Sequence, residues 1–203
     1  MGKLDEKKRQ KRNSLLAAAF TLFTAKGIHD TSISDIVREA KMAKGTFYLY
    51  FKDKFDIRDR LIATKAKDLF TVASEEMRRE NPETLEEKII FVVDSIINRL
   101  NENKILLKFI SKNLSWGVWR NVLSSEGEDE GFNFRQAYLS LLSESGREFR
   151  NPELMLYMIV ELVNSTCYEV ILKQEPVTLE ELKPELYSAI YDIISRQEIK
   201  ING

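Results

Sequence analysis

The chain has 203 residues, 43% hydrophobic and 31% charged, with four Pro and eight Gly; it can bury a core and suits one large or two small domains of long helices. A single Cys excludes a disulfide framework or a Cys-based zinc site within the chain. The charged start MGKLDEKKRQKRN has no apolar signal region, and no stretch approaches the roughly 20 apolar residues of a membrane span, so a cytoplasmic protein without a membrane partner is expected.

The net charge of −1 hides an asymmetry. Residues 1–60 carry 14 Lys+Arg against 8 Asp+Glu, and residues 61–203 carry 17 against 24. A basic start and an acidic remainder suggest a nucleic-acid end and a different task elsewhere. The plain alternative is solvated surface charge with no partner.

In chain order, Lys3 to Arg12 is a charge-rich lead-in, a frayed helical start or a solvated tail. Leu15, Leu16, Ala19, Leu22 and Phe23 recur at helical spacing, and Gly27 ends that helix near residue 26. Ser32-Ile33-Ser34-Asp35 is a helix start, with Ile33, Ile36, Val37 and Ala40 on one apolar face. Lys41-Met42 makes the turn, and residues 43–51 form a second short helix. Its Phe47 and Phe51 point inward, which leaves Lys44, Thr46, Tyr48 and Tyr50 outward. A short cationic, hydroxyl-rich helix on a small apolar base fits the major groove of DNA.

Asp53 caps a long helix that runs to about Arg79 and ends before Asn81-Pro82. The box Thr84-Leu85-Glu86-Glu87 opens a helix to about Asn101 with a broad apolar face. Residues 104–113 form another. Residues 114–123 hold Trp116 and Trp119, and residues 124–131 read as an acidic loop. A helix over 132–145 follows. Residues 153–173 form the most apolar helix, buried on several sides. Thr178-Leu179-Glu180-Glu181 is a further capping box, and Pro184 is expected to begin the last helix, to about Gln197. The fold class is all-α, with about nine helices and no strand pattern.

The run TSISDIVREAKMAKGTFYLYFKDKFDI resembles the signature of the tetracycline-repressor (TetR) family of bacterial transcription regulators. Phe20, Phe23, Gly27, Thr31, Ile36, Ala40, Lys44-Gly45-Thr46-Phe47-Tyr48, Phe51 and Lys54 carry the likeness, over about residues 10–57. It implies a homeodomain-like helix-turn-helix domain over 1–53 and a helical effector-binding and dimerisation domain over 54–203. Carried over by position, Lys44, Gly45, Thr46, Tyr48 and Tyr50 form the DNA-contacting face, with Thr31 and Lys54 as flanking phosphate contacts. Two positions depart from the family pattern: Ala43 stands where Ser or Thr commonly caps the recognition helix, and Tyr50 stands where His is common.

The resemblance also implies operator DNA, a small-molecule effector and a homodimer through helices 153–173 and 184–197. Tyr157, Glu161, Asn164 and Tyr168 fall on one stripe of the helix 153–173, and with Trp116 and Trp119 they are candidates for an effector pocket. The competing reading puts the stripe in the dimer interface and the tryptophans in the core. The lone His29 and buried-type Cys167 show no catalytic or metal-ligand pattern, so neither an enzyme nor a cofactor is expected. The leading function is a ligand-responsive repressor. The alternatives are a sequence-tolerant DNA-architectural protein, and a ligand carrier or enzyme with a vestigial helix-turn-helix.

Overall fold

The computed structural model describes residues 3–111 and 133–199, and among them it forms nine helices. Helix α1 spans Lys3–Lys26, so the charged lead-in is helical. Gly27 stops it with φ +89°, a conformation open to Gly at little cost. Helix α2, Ile33–Glu39, opens on the expected capping box: Asp35 N donates to Ser32 Oγ at 3.1 Å, and Ser32 N donates to Asp35 Oδ2 at 3.1 Å. Helix α3 spans only Lys44–Tyr48, shorter than the expected 43–51. Ala43 provides no side-chain cap, and the backbone leaves the helix at Leu49.

Helix α4, Lys54–Glu80, is capped by the Asp53 carboxylate, which accepts from Phe55 N at 2.7 Å and Asp56 N at 2.9 Å. Left-handed Asn81 ends it. Helices α5 (Leu85–Glu102), α6 (Lys104–Ser111), α7 (Phe134–Glu144), α8 (Pro152–Lys173) and α9 (Leu179–Gln197) follow. Thr84 with Glu87, and Thr178 with Glu181, form the two further capping boxes that start α5 and α9.

Two expectations are corrected here. The last helix does not begin at Pro184; it is continuous from Leu179 with Pro184 inside. The missing proline N–H deprives only the Glu180 carbonyl of a partner. Glu180 and Pro184 are exposed, so water can serve that carbonyl, and the capping box has already set the helix direction. Second, α8 is long and apolar enough to cross a bilayer by length and composition. It instead buries Met155, Leu156, Ile159, Cys167, Val170 and Ile171 in the protein core.

The apolar side chains form two clusters. One unites Leu15, Ala19, Phe23, Ile36, Phe47 and Phe51 with Ile57, Leu61 and Ile62 of α4 and Phe109 and Ile110 of α6. The other joins α5, α7, α8 and α9 to Ala66 of α4. The N-terminal core therefore reaches past residue 53 into α4 and α6. Polar braces fix the second unit. Glu76 of α4 accepts from Ser95 at 2.6 Å and from Arg99 of α5. Asp94 of α5 holds Lys183 at 2.6 Å and Tyr187 of α9. Arg147 pairs with Glu86 and Glu198, each at 2.7 Å.

Candidate nucleic-acid interface and effector cavity

Phe47 has no exposed surface and Phe51 only 2%, and their rings lie 5.5 Å apart. Burying this pair anchors α3 on α2 and turns the other side of the helix outward. Lys44 and Gly45 are exposed, Thr46 is half-buried, and Tyr48 is 53% exposed. A Cβ built on Gly45 meets nothing within 4 Å, and its φ lies outside the left-handed region, so the fold does not require glycine there. Close approach of a partner backbone does call for one. Tyr50 is half-buried against the N-terminal core, so only part of its ring is available outside. Leu49, which motif reading passed over, is 79% exposed between the two tyrosines. An apolar side chain so placed can meet a thymine methyl in the major groove. The signal in the sequence was a Leu without an apolar neighbour at helical spacing on its own face.

Thr31 and Lys54, expected as phosphate contacts, have internal places instead. Thr31 is 1% exposed and its hydroxyl donates to Gly27 O at 2.7 Å. Lys54 Nζ donates to Ile28 O at 3.0 Å, His29 O at 2.9 Å and Thr31 O at 3.3 Å. Three carbonyls saturate an ammonium's donors, so Lys54 ties the α1–α2 loop to the start of α4. Asp35 does similar work one turn away, accepting from Lys26 at 2.9 Å and Arg38 at 2.6 Å. The Lys26 hydrogen bond and those from Ser32 hold its carboxyl well below the usual carboxylate range.

A partly open cavity of about 770 Å³ lies between α4, α5, α7 and α8, with Ile110 and Ser111 of α6 among its lining. Its walls are mainly apolar, with Phe70, Val93, Ile96, Leu156, Ile159 and Val160 among them. The rings of Phe70 and Phe134 stand 4.3 Å apart on one side. Of the candidate stripe, only Asn164 lines the cavity. Tyr157, Glu161 and Tyr168 are half-buried and lie on the other side of α8, with exposed Leu154, Met158 and Ser165. Trp116 and Trp119 fall outside the described residues, as does the expected acidic loop over 124–131. Cys167 is buried, which pushes its thiol up to about 11, a protonated and unreactive group at neutral pH. No cluster of three metal-ligating side chains is present among the described residues.

Residues 15–61 match the family model for bacterial regulatory proteins of the tetR family. The chain is 32% identical over 102 residues to the HTH-type transcriptional regulator YdgC of Bacillus subtilis (strain 168), covering 49% of this chain and 52% of that one. It is 32% identical over 88 residues to the fatty acid metabolism regulator protein of the same organism, covering 43% and 44%. The matched segments thus span about half the length of these relatives. A solved structure of transcriptional regulator FadR from Bacillus subtilis, in complex with stearoyl-CoA, superposes with a TM-score of 0.56 over 87% of this chain and 96% of that one, at 20% identity, a likeness of fold.

Proposed function

We propose that this chain, a member of the tetR family of bacterial regulatory proteins, is a homodimeric repressor that a small-molecule effector releases from operator DNA. The observation that carries the reading is the pairing of an exposed Lys44-Gly45-Tyr48 face, with half-buried Thr46 beside it, with a separate apolar cavity reached by the same long helix. Lys44 supplies charge to phosphate or a guanine edge, Thr46 and Tyr48 supply hydroxyls, and Gly45 lets backbone approach. The cations of α1 (Lys7, Lys8, Arg9 and Lys11), all exposed, add phosphate contacts.

The dimer uses the outer faces of α8 and α9. Leu154, Met158 and Tyr191 are 43%, 40% and 43% exposed there, and Ser165 lets a second helix come close. On this reading Tyr157, Glu161 and Tyr168, which lie on the side of α8 away from the cavity, belong to that interface rather than to the ligand. Two recognition helices then enter successive major grooves about one helical turn apart. The effector acts by preferring a conformer in which that spacing is lost. Helix α4 links the two units: Ile57, Leu61 and Ile62 belong to the core that also buries Phe47 of α3, whereas Phe70, Ser74 and Met77 line the cavity. That the FadR structure from Bacillus subtilis holds stearoyl-CoA supports the helical domain as a ligand site.

Fluorescence anisotropy with DNA from upstream of the chain's own gene and neighbouring promoters tests this. Sequence-selective, salt-sensitive binding is expected, and Lys44→Ala or Tyr48→Ala should each weaken it about 10- to 100-fold while leaving the dimer intact. Binding with no sequence preference, or none at all, would sink the reading.

A further inference from the structure

Helix α2 ends on a residue whose backbone is strained. Lys41 N donates to Arg38 O at 3.1 Å, and Met42 N donates to Val37 O at 2.8 Å. These two bonds close a Schellman motif, which sets the residue after the helix cap in the left-handed region. Lys41 stands there with φ +54°. Met42 completes the motif by packing with Val37 in the N-terminal core. Glycine takes this conformation at little cost, and the chain uses it at Gly27 (φ +89°) and Gly146 (φ +66°). Any other residue brings its Cβ against the backbone. Asn81 and Gln174 also end helices with positive φ, but Lys41 is the one charged residue to do so among the described residues.

Nothing inside the protein offsets that strain. The Lys41 side chain is exposed, and no hydrogen bond or ion pair holds its ammonium among the described residues. The cations around it are engaged: Arg38 meets Asp35 at 2.6 Å, and Lys54 meets three carbonyls. Lys41 lies three residues before Lys44, the first residue of α3, so their Cα atoms are no more than about 11 Å apart. The major groove is about 12 Å wide. A cation set back by up to that distance from the first turn of a helix in the groove stands level with the phosphates along its edge. We propose that Lys41 is a phosphate contact, held in the left-handed conformation so that its ammonium meets the DNA backbone beside the groove that α3 enters. The proposal rests on the reading of α3 as the DNA-facing helix and adds a contact to it. Strain at the helix end is the counterpart of affinity for DNA, so the two change together when Lys41 is replaced.

Fluorescence anisotropy of the full chain, at salt concentrations from about 50 to 200 mM, tests the contact on DNA from upstream of the chain's own gene and on an unrelated duplex of equal length. Lys41→Gly should weaken binding and flatten the fall of log affinity with log salt by about 0.9 for each Lys41 in contact. The change should be the same on both duplexes, because a phosphate contact carries no sequence information. Lys41→Asn, neutral but tolerant of left-handed backbone, should act likewise, and Lys41→Arg should keep the parent slope. Thermal unfolding supplies the opposite sign: Lys41→Gly should raise the Tm by about 2–4 °C, so its weaker binding does not come from a weaker fold. A slope unmoved by Lys41→Gly and Lys41→Asn overturns the proposal. So does a loss confined to one duplex, which marks a base contact, or a Tm that Lys41→Gly leaves unchanged or lowers. A parent that binds both duplexes alike sinks the repressor reading and leaves the slope comparison to decide the Lys41 contact. A selective parent whose slope ignores Lys41→Gly sinks the contact alone, and a parent that binds neither duplex sinks both.

Discussion

Around α3 the apolar side chains of residues 15–62, joined by Phe109 and Ile110 of α6, close into a filled core. Leu15, Ile36, Phe47, Ile57 and Ile62 have no exposed surface, and the polar side of α3 is left outside. Between α4, α5, α7 and α8 the apolar side chains do not close, and about 770 Å³ stays open among them. One region presents its chemistry as side chains on a rigid base. The other presents it as space, bounded by residues that look like core. The difference teaches where each region tolerates change: an outward polar face held in place needs a filled core beneath it, and a cavity needs a core left incomplete.

Truncation should separate the two regions most strongly. Phe47→Ala removes a fully buried ring from the N-terminal core and should cost about 3–5 kcal/mol by denaturant unfolding. Val160→Ala, which only widens space already present, should cost about 1 kcal/mol or less. Equal losses at the two sites would erase the contrast. Next in size, Lys54→Met should destabilise by about 1–3 kcal/mol, since it takes the ammonium donor from the carbonyls of His29 and Thr31 and leaves Ile28 O only the Thr31 N–H. Its operator binding, measured where the variant is folded, should keep the salt dependence of the parent. A salt slope lowered by about one, with stability unchanged, would return Lys54 to the phosphate contacts.

Smaller again, Gly45→Ala should leave stability unchanged or raise it by up to about 1 kcal/mol, because the new methyl meets open space within a helix. Operator affinity should nonetheless fall, and an unchanged affinity would show that the DNA backbone keeps its distance. The least effect is expected from acid. Burial alone would raise the Asp94 carboxyl, but hydrogen bonds from Lys183 and Tyr187 outweigh it and hold the carboxyl below its ordinary value of 3.8. A depressed folded value means the brace between α5 and α9 contributes fully above about pH 4. It is lost as pH falls through that lower value. Asp94→Asn should flatten this part of an acid-unfolding curve while leaving the N-terminal unit's response unchanged.

Much of this architecture could be read from local chemistry. Three capping boxes and the stop at Gly27 mark helix ends because caps depend on residues three or four positions apart. The outward side of α3 could be read for the same reason: Phe47 and Phe51 lie one helical turn apart and are both buried. The apolar face of α5 was equally visible, yet a residue facing a cavity and one facing a filled core carry the same apolar signal. Pro184 misled because a proline's cost depends on whether the carbonyl four residues back can find water, and exposure is not written locally.

The sequence by itself determined most of the helices, the capped starts of α2, α4 and α5, and the side of α3 turned outward, all consequences of contacts within about one turn. Only the tertiary structure distinguished Lys44 from Lys54. Ten residues apart, they look alike in a basic motif. Yet one stands in solvent, and the other is enclosed by carbonyls 23 to 26 residues away in the chain. The same holds for α8, where folding sent Asn164 to the cavity and left Tyr157, Glu161 and Tyr168 outside it. Packing between distant helices makes those choices, since burial and hydrogen-bond satisfaction belong to the assembled chain and not to any one stretch of it.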